Sequence, residues 1–262
     1  MGTTGRTLAP YVPDIPRGTR HGIDQDLEQD MTITPTTLTR GAAAAAVGAG
    51  LLFIGVQLGH PTLDATTVGT TEVVVRNSLK MLMAVLSLIG ITGMYLSQVR
   101  RNGVLGLVGY VVLASCYLLI TGMTYLAAFV LPQLVTTDTA YVADVITQIK
   151  GGTPAGDIGL LAVALPVQDF AFLVGGLIFG VALFRARVLA RWATGMLAVG
   201  GVVTILLAVM PDAFYRLLAF PNGIAMIGLG YSLWTTTRTV NDRDTSGSDT
   251  VDSSPVAAVG AE

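Results

Sequence analysis

IGLLAVALPVQDFAFLVGGLIFGVALF, residues 158–184, carries a single ionisable side chain, Asp169, in 27 positions. A bilayer's hydrocarbon core is about 30 Å thick, so about 20 apolar residues at about 1.5 Å each cross it as a helix. This run is long enough, and it stops at Arg185, Arg187 and Arg191. A water-soluble domain has no use for so long a stretch without charges.

Five further runs repeat the pattern on either side. Residues 41–58 follow Arg40 and end at His60-Pro61, and residues 78–96 stop at Arg100-Arg101. Residues 104–131 stop at Pro132, and residues 192–210 stop at Pro211-Asp212. Residues 214–234 contain Pro221, which predicts a kink. The first run is longer than the apolar region of a signal peptide and lacks a small-x-small cleavage site after it, so it reads as a span. The composition agrees: 52% of the 262 residues are hydrophobic and 12% charged, against roughly a quarter charged in soluble domains. The expected fold is all-α, a polytopic bundle of six transmembrane helices over residues 40–237. The polar tails, 1–39 and 238–262, predict disorder. Met31 opens a second plausible start (MTITPTTLTR), so residues 1–30 read as a dispensable extension.

Basic residues set the expected orientation. Arg40, Arg100, Arg101, Arg185, Arg187, Arg191, Arg238 and Arg243 fall on one side; Arg76, Lys80, Lys150 and Arg216 fall on the other. The excess places both termini in the cytoplasm, as an even number of spans requires. Lys80 and Lys150 are the only lysines among 15 basic residues, which suits a GC-rich bacterial genome and a plasma-membrane location. Tyr95, Trp192, Tyr231 and Trp234 fall near the cytoplasmic ends, as an interfacial aromatic belt does.

The longest internal loop, 133–157, places Tyr141, Val142, Val145, Ile146 and Ile149 on one helical face, followed by Gly151-Gly152. That predicts a short amphipathic helix on the membrane surface.

Asp169 is the polar group that stands out. Counting back from Arg185, it lies about 6 Å inside the hydrocarbon edge at 1.5 Å per residue. A carboxylate there is expected to face the bundle and find a cation. Arg76 and Lys80 sit one turn apart at comparable depth, and Arg216 is a further partner of lower rank. Gln168 points about 100° away and suits a hydrogen bond to a neighbouring helix. Gly176 and Gly180 form a GxxxG that permits close helix approach.

Other chemistry is not indicated. One cysteine (Cys116) and two distant histidines (His21, His60) make neither a disulfide nor a metal set. P-loop, HExxH, GxSxG and CxxC motifs are absent. No cofactor is expected. The net charge of −2 with no basic stripe gives no reason to expect a nucleic-acid partner; the expected partner is the lipid bilayer.

QDFAFLVGG (168–176), LFRARVLARW (183–192) and PNGIAMIGLGYSLW (221–234) resemble a family of six-span bacterial membrane proteins known as a domain of unknown function. QLGHP (57–61) matches more loosely. The family carries an acidic residue at the Asp169 position, often after His, where Gln168 stands here. It often has Pro before Arg-Trp, where Ala190 stands. The resemblance implies six spans and supplies no activity. The expected function is therefore a non-catalytic accessory or envelope component. The alternative is a small-solute or proton-coupled permease using Asp169. An intramembrane enzyme, for which no paired catalytic groups are found, ranks last.

Overall fold

The computed structural model describes residues 34–58, 63–208 and 219–248. Among the described residues every regular element is a helix, with no strand. In chain order they form α1 (Pro35–Gly55), α2 (Thr71–Ser97), α3 (Val99–Tyr125), a π-helical turn (Leu126–Val130) and α4 (Leu131–Leu134). These are followed by α5 (Thr139–Ile149), α6 (Leu161–Ala186), α7 (Arg191–Ala208) and α8 (Ala219–Ser248). Residues 36–262 make one compact unit; of the other unit, 1–35, only Thr34 and Pro35 are described. Of the two tails expected to be disordered, residues 1–33 and 249–262 lie outside the described residues, whereas 35–39 and 238–248 belong to α1 and α8 because the helices extend beyond their apolar runs. Arg216 and the junction of the fifth and sixth runs also lie outside the described residues.

Four segments are long and apolar enough to cross a membrane: Pro35–Gly55, Thr71–Ser97, Val99–Leu134 and Leu161–Ala186. In each, only 33–39% of the most apolar window is buried by the rest of the protein. Large apolar side chains in these segments are exposed, among them Val104 (78%), Phe170 (67%) and Val163 (61%). Helices satisfy their own amides and carbonyls, which is the condition for backbone to enter lipid. The protein is a multi-pass membrane protein on these grounds.

Neighbouring helices run antiparallel and pack in chain order. Gly90 on α2 meets Ala46 on α1, and Gly109 and Gly175 join α3 to α6 against Phe179 and Leu113. Gly180 seats α6 on Ala198 of α7, and the Ala190 amide at the start of α7 donates to Ser232 Oγ of α8 at 2.9 Å. α8 then closes on α1, where Gly230 faces the Ala43 carbonyl and Gly50 faces Gly223. α2 and α3 meet through stacked Tyr95 and Tyr110, 4.7 Å apart. Side chains from all six long helices, including Phe53, Met83, Tyr117, Phe179, Leu197 and Leu229, fill one core.

The helices depart from the apolar runs at several ends: α1 spans Pro35–Gly55 against 41–58, and α2 spans Thr71–Ser97 against 78–96. The run that was to begin at 104 does so: Gly103 (φ 57°, ψ −161°) interrupts α3 in a region that only glycine occupies without strain. The run does not stop at Pro132. Proline removes the amide that would bond Ala128, and the ladder slips to a π register, with the Leu131 amide donating to Leu126 O before the chain continues to Leu134. Pro221, expected as a mid-span kink, stands near the start of α8 as described.

The slip turns Ala127 and Leu131 toward a second, smaller core with Val68, Val142, Val145, Ile146 and Ile158. α5 is thus the expected amphipathic helix, but its apolar face is covered by the chain itself rather than by lipid. Asp138 caps it by accepting the Tyr141 amide at 3.0 Å. The Gly152 and Gly151 amides return to Thr147 O and Gln148 O with Gly151 left-handed (φ 77°), a Schellman ending. Asp144 on α5 then holds the following loop through the Ala155 and Gly156 amides (2.8 and 2.9 Å).

Val68 enters this cap from a turn organised by Asp64. The Thr66 hydroxyl and the Thr66 and Thr67 amides donate to Asp64 Oδ1 at 2.6, 2.8 and 2.9 Å, and the Asp64 amide donates to Thr67 Oγ1 at 3.0 Å. These bonds, the Thr66 hydroxyl first, hold the Asp64 carboxyl below its ordinary value. A depressed carboxyl stabilises the fold above its unfolded pKa and loses that contribution as pH falls through the folded value. Amide exchange at Thr66 and Thr67 is expected to be slow near neutral pH and to quicken, relative to intrinsic rates, as pH drops below the usual aspartate range. Asp64→Asn is expected to abolish that pH dependence.

The two glycines of the GxxxG differ. A methyl group built on Gly180 lies 2.6 Å from the Ala198 amide nitrogen, whereas one built on Gly176 lies 3.7 Å from the nearest atom, Leu197 O. Gly180→Ala is expected to lower stability by about 1–3 kcal/mol, and Gly176→Ala to change it by less than about 0.5 kcal/mol. Thermal unfolding in detergent checks both; equal effects would refute the packing assignment.

Candidate functional site

The antiparallel order sorts polar residues to two ends. Every carboxylate between residues 34 and 208 (Asp64, Glu72, Asp138, Asp144, Asp157, Asp169) belongs to the end formed by the α1–α2 and α3–α6 connections. The opposite end collects Arg40, Arg100, Arg101, Arg185, Arg187, Arg191 and Arg238.

At the acidic end, the expected ion pair does not form. Asp169 is exposed on α6, and among the described residues it makes no ion pair with Arg76 or Lys80. The depth estimate from sequence is unaffected; the rotation of α6 about its axis decides the rest, and the close contacts of Gly175 and Gly180 with α3 and α7 hold that rotation. Gln168 Oε1 is buried without a hydrogen-bond partner, and the Gln168 carbonyl accepts the Cys116 thiol of α3 at 3.4 Å. Arg216 lies outside the described residues.

Arg76 serves elsewhere. Its Nη1 donates to the Val56 and Leu58 carbonyls at 2.7 and 2.9 Å, and its Nη2 lies 3.3 Å from Glu72 Oε1. The last carbonyls of a helix have no intrahelical donor, and a planar guanidinium can meet two of them at once. Arg76 therefore ties the end of α1 to the start of α2. A surface cleft of about 310 Å³ lies beside this tie, walled by Val56, Val75 and Leu79 with Glu72 and Arg76. Lys80 sits one turn further along α2.

The arginine end is built differently. Arg40 of α1 and Arg238 of α8 both lie over the Trp234 ring, at 5.9 and 5.5 Å from its centroid, and Arg191 lies 4.6 Å over Phe184. Arg40 Nε is buried without a hydrogen-bond partner. In the α2–α3 turn Gln98 and Asn102 are buried, and Gln98 Oε1 and both polar side-chain atoms of Asn102 lack partners. Arg187 closes α6 in the left-handed region (φ 56°). Of the expected belt, Trp192 and Tyr231 are exposed, while Tyr95 and Trp234 are part-buried and stacked. The Arg238–Trp234 contact, four residues apart on one helix, was readable in the sequence; the Arg40–Trp234 contact crosses from α1 to α8 and was not. Among the described residues no three His, Cys, Asp or Glu side chains cluster as a metal set.

No protein-family model, curated protein or solved structure matches this chain significantly.

Arg76→Met is expected to lower stability by about 1–3 kcal/mol, because two helix-end carbonyls lose a charged donor. Glu72→Gln is expected to change it by less than about 1 kcal/mol, since that carboxylate is largely exposed. Comparable losses in thermal unfolding would show that the ion pair, not the carbonyl tie, holds α1 to α2.

Proposed function

We propose that this is a six-span protein of the bacterial plasma membrane with both termini in the cytoplasm, acting as a non-catalytic accessory or envelope component. The carrying observation is the uncovered apolar surface of its four longest apolar segments, which requires a hydrocarbon solvent. The packing of α7 and α8 between α6 and α1 supports counting them as the fifth and sixth spans. The arginine end suits the cytoplasmic face, which favours basic residues. Residues 158–234 support membership of the six-span family that their motifs resemble.

The non-catalytic reading draws on the core. Side chains from every long helix fill it, and hydroxyls within the spans bond carbonyls of their own helix, as Ser87 does with Met83 and Thr121 with Tyr117. The permease alternative draws on Asp169, and that carboxylate lies on the exposed flank of α6 rather than in the packed core.

Single cysteines test the topology in a Cys116→Ala background. In intact cells an impermeant maleimide is expected to label Thr66→Cys and Thr153→Cys. Arg101→Cys and Ser253→Cys are expected to react only after permeabilisation. Labelling of Ser253→Cys without labelling of Arg101→Cys would break the even span count, and the reverse pattern at all four sites would invert the orientation.

A further inference from the structure

We infer that Arg40, Trp234 and Arg238 form a binding site for the phosphodiester headgroup of an anionic phospholipid. The inference rests on the membrane reading above and adds a ligand class to it. Two guanidinium groups lie within 6 Å of one indole centroid, and neither is in an ion pair among the described residues. Two cationic side chains thus share one ring. An anion between or beside them removes the repulsion.

The donor inventory points the same way. Arg40 Nε has no acceptor among the described residues. A buried donor left unmade is unfavourable, and a phosphate oxygen is the acceptor whose geometry matches a guanidinium edge. Location selects the source of that phosphate. Arg40 immediately precedes the apolar stretch of α1, and Trp234 ends the apolar stretch of α8. The trio therefore sits at the hydrocarbon boundary, where headgroup phosphates lie and indole rings partition. A zwitterionic headgroup would bring a further cation to a place that already holds two. A headgroup with net negative charge would not.

The test uses the full chain in vesicles, with Trp192→Phe leaving Trp234 as the single tryptophan reporter. Quenching by phosphatidylglycerol spin-labelled near the headgroup is compared with quenching by the equivalent phosphatidylcholine. Phosphatidylglycerol is expected to associate at least about fivefold more strongly. Arg40→Gln with Arg238→Gln is expected to bring the ratio to about one. Arg100→Gln with Arg101→Gln, which removes the same charge from the same end, is expected to keep most of it. If the double variant does not fold, each single variant carries the test, because each removes one of two donors. An unchanged ratio in the Arg40/Arg238 variants overturns the site. An equal loss in the Arg100/Arg101 variant overturns it in favour of diffuse surface charge. Loss of the preference on adding inorganic phosphate overturns the lipid as its ligand. No quenching by either lipid overturns the membrane reading, and the site with it.

Discussion

A polypeptide amide in hydrocarbon has no water to bond, so it must be satisfied within its own helix. That constraint governs the whole molecule. It explains why the described residues are helical, why the long helices can leave most of their apolar side chains uncovered, and why span hydroxyls turn back to carbonyls three or four residues away. It also explains the irregular places. Where Pro132 withdraws an amide the ladder slips by one residue instead of breaking, and the loss is absorbed by Leu131 bonding to Leu126.

Lipid gives helices little hydrophobic reason to associate, so contact must come from fit. The bundle uses small residues for this at nearly every seam: Ala46 with Gly90, Gly109 with Phe179, Gly180 with Ala198, Gly230 with Ala43. Backbones approach closely there, and the larger side chains meet in the middle as one core. Closing α8 on α1 buries the small faces of both, which leaves the bundle no open flank between its first and last helices.

The two ends answer different surroundings. The acidic end is ordered by short-range polar bonds: Asp64 organises a turn, Asp138 caps α5, Asp144 holds the loop after it, and Arg76 closes α1. These hold a small second core above the spans, with α5 as its lid. At the arginine end the guanidiniums lie on aromatic rings instead of carboxylates.

Much of this was legible without coordinates. Composition and run length settled the solvent of the apolar helices, since both are sums over residues and do not depend on which way a helix faces. The stop at Gly151 was also readable, because a helix ending is made with residues a few positions away. Rotation was not legible. Asp169 was expected to face the bundle and lies exposed on α6, the GxxxG pair was noted without knowing that Gly180 touches and Gly176 does not, and Arg40 gave no hint of Trp234. Helix azimuth depends on how surfaces from distant parts of the chain interlock. A 100° step per residue turns a small error in packing into a different neighbour, and only the tertiary structure carries that information.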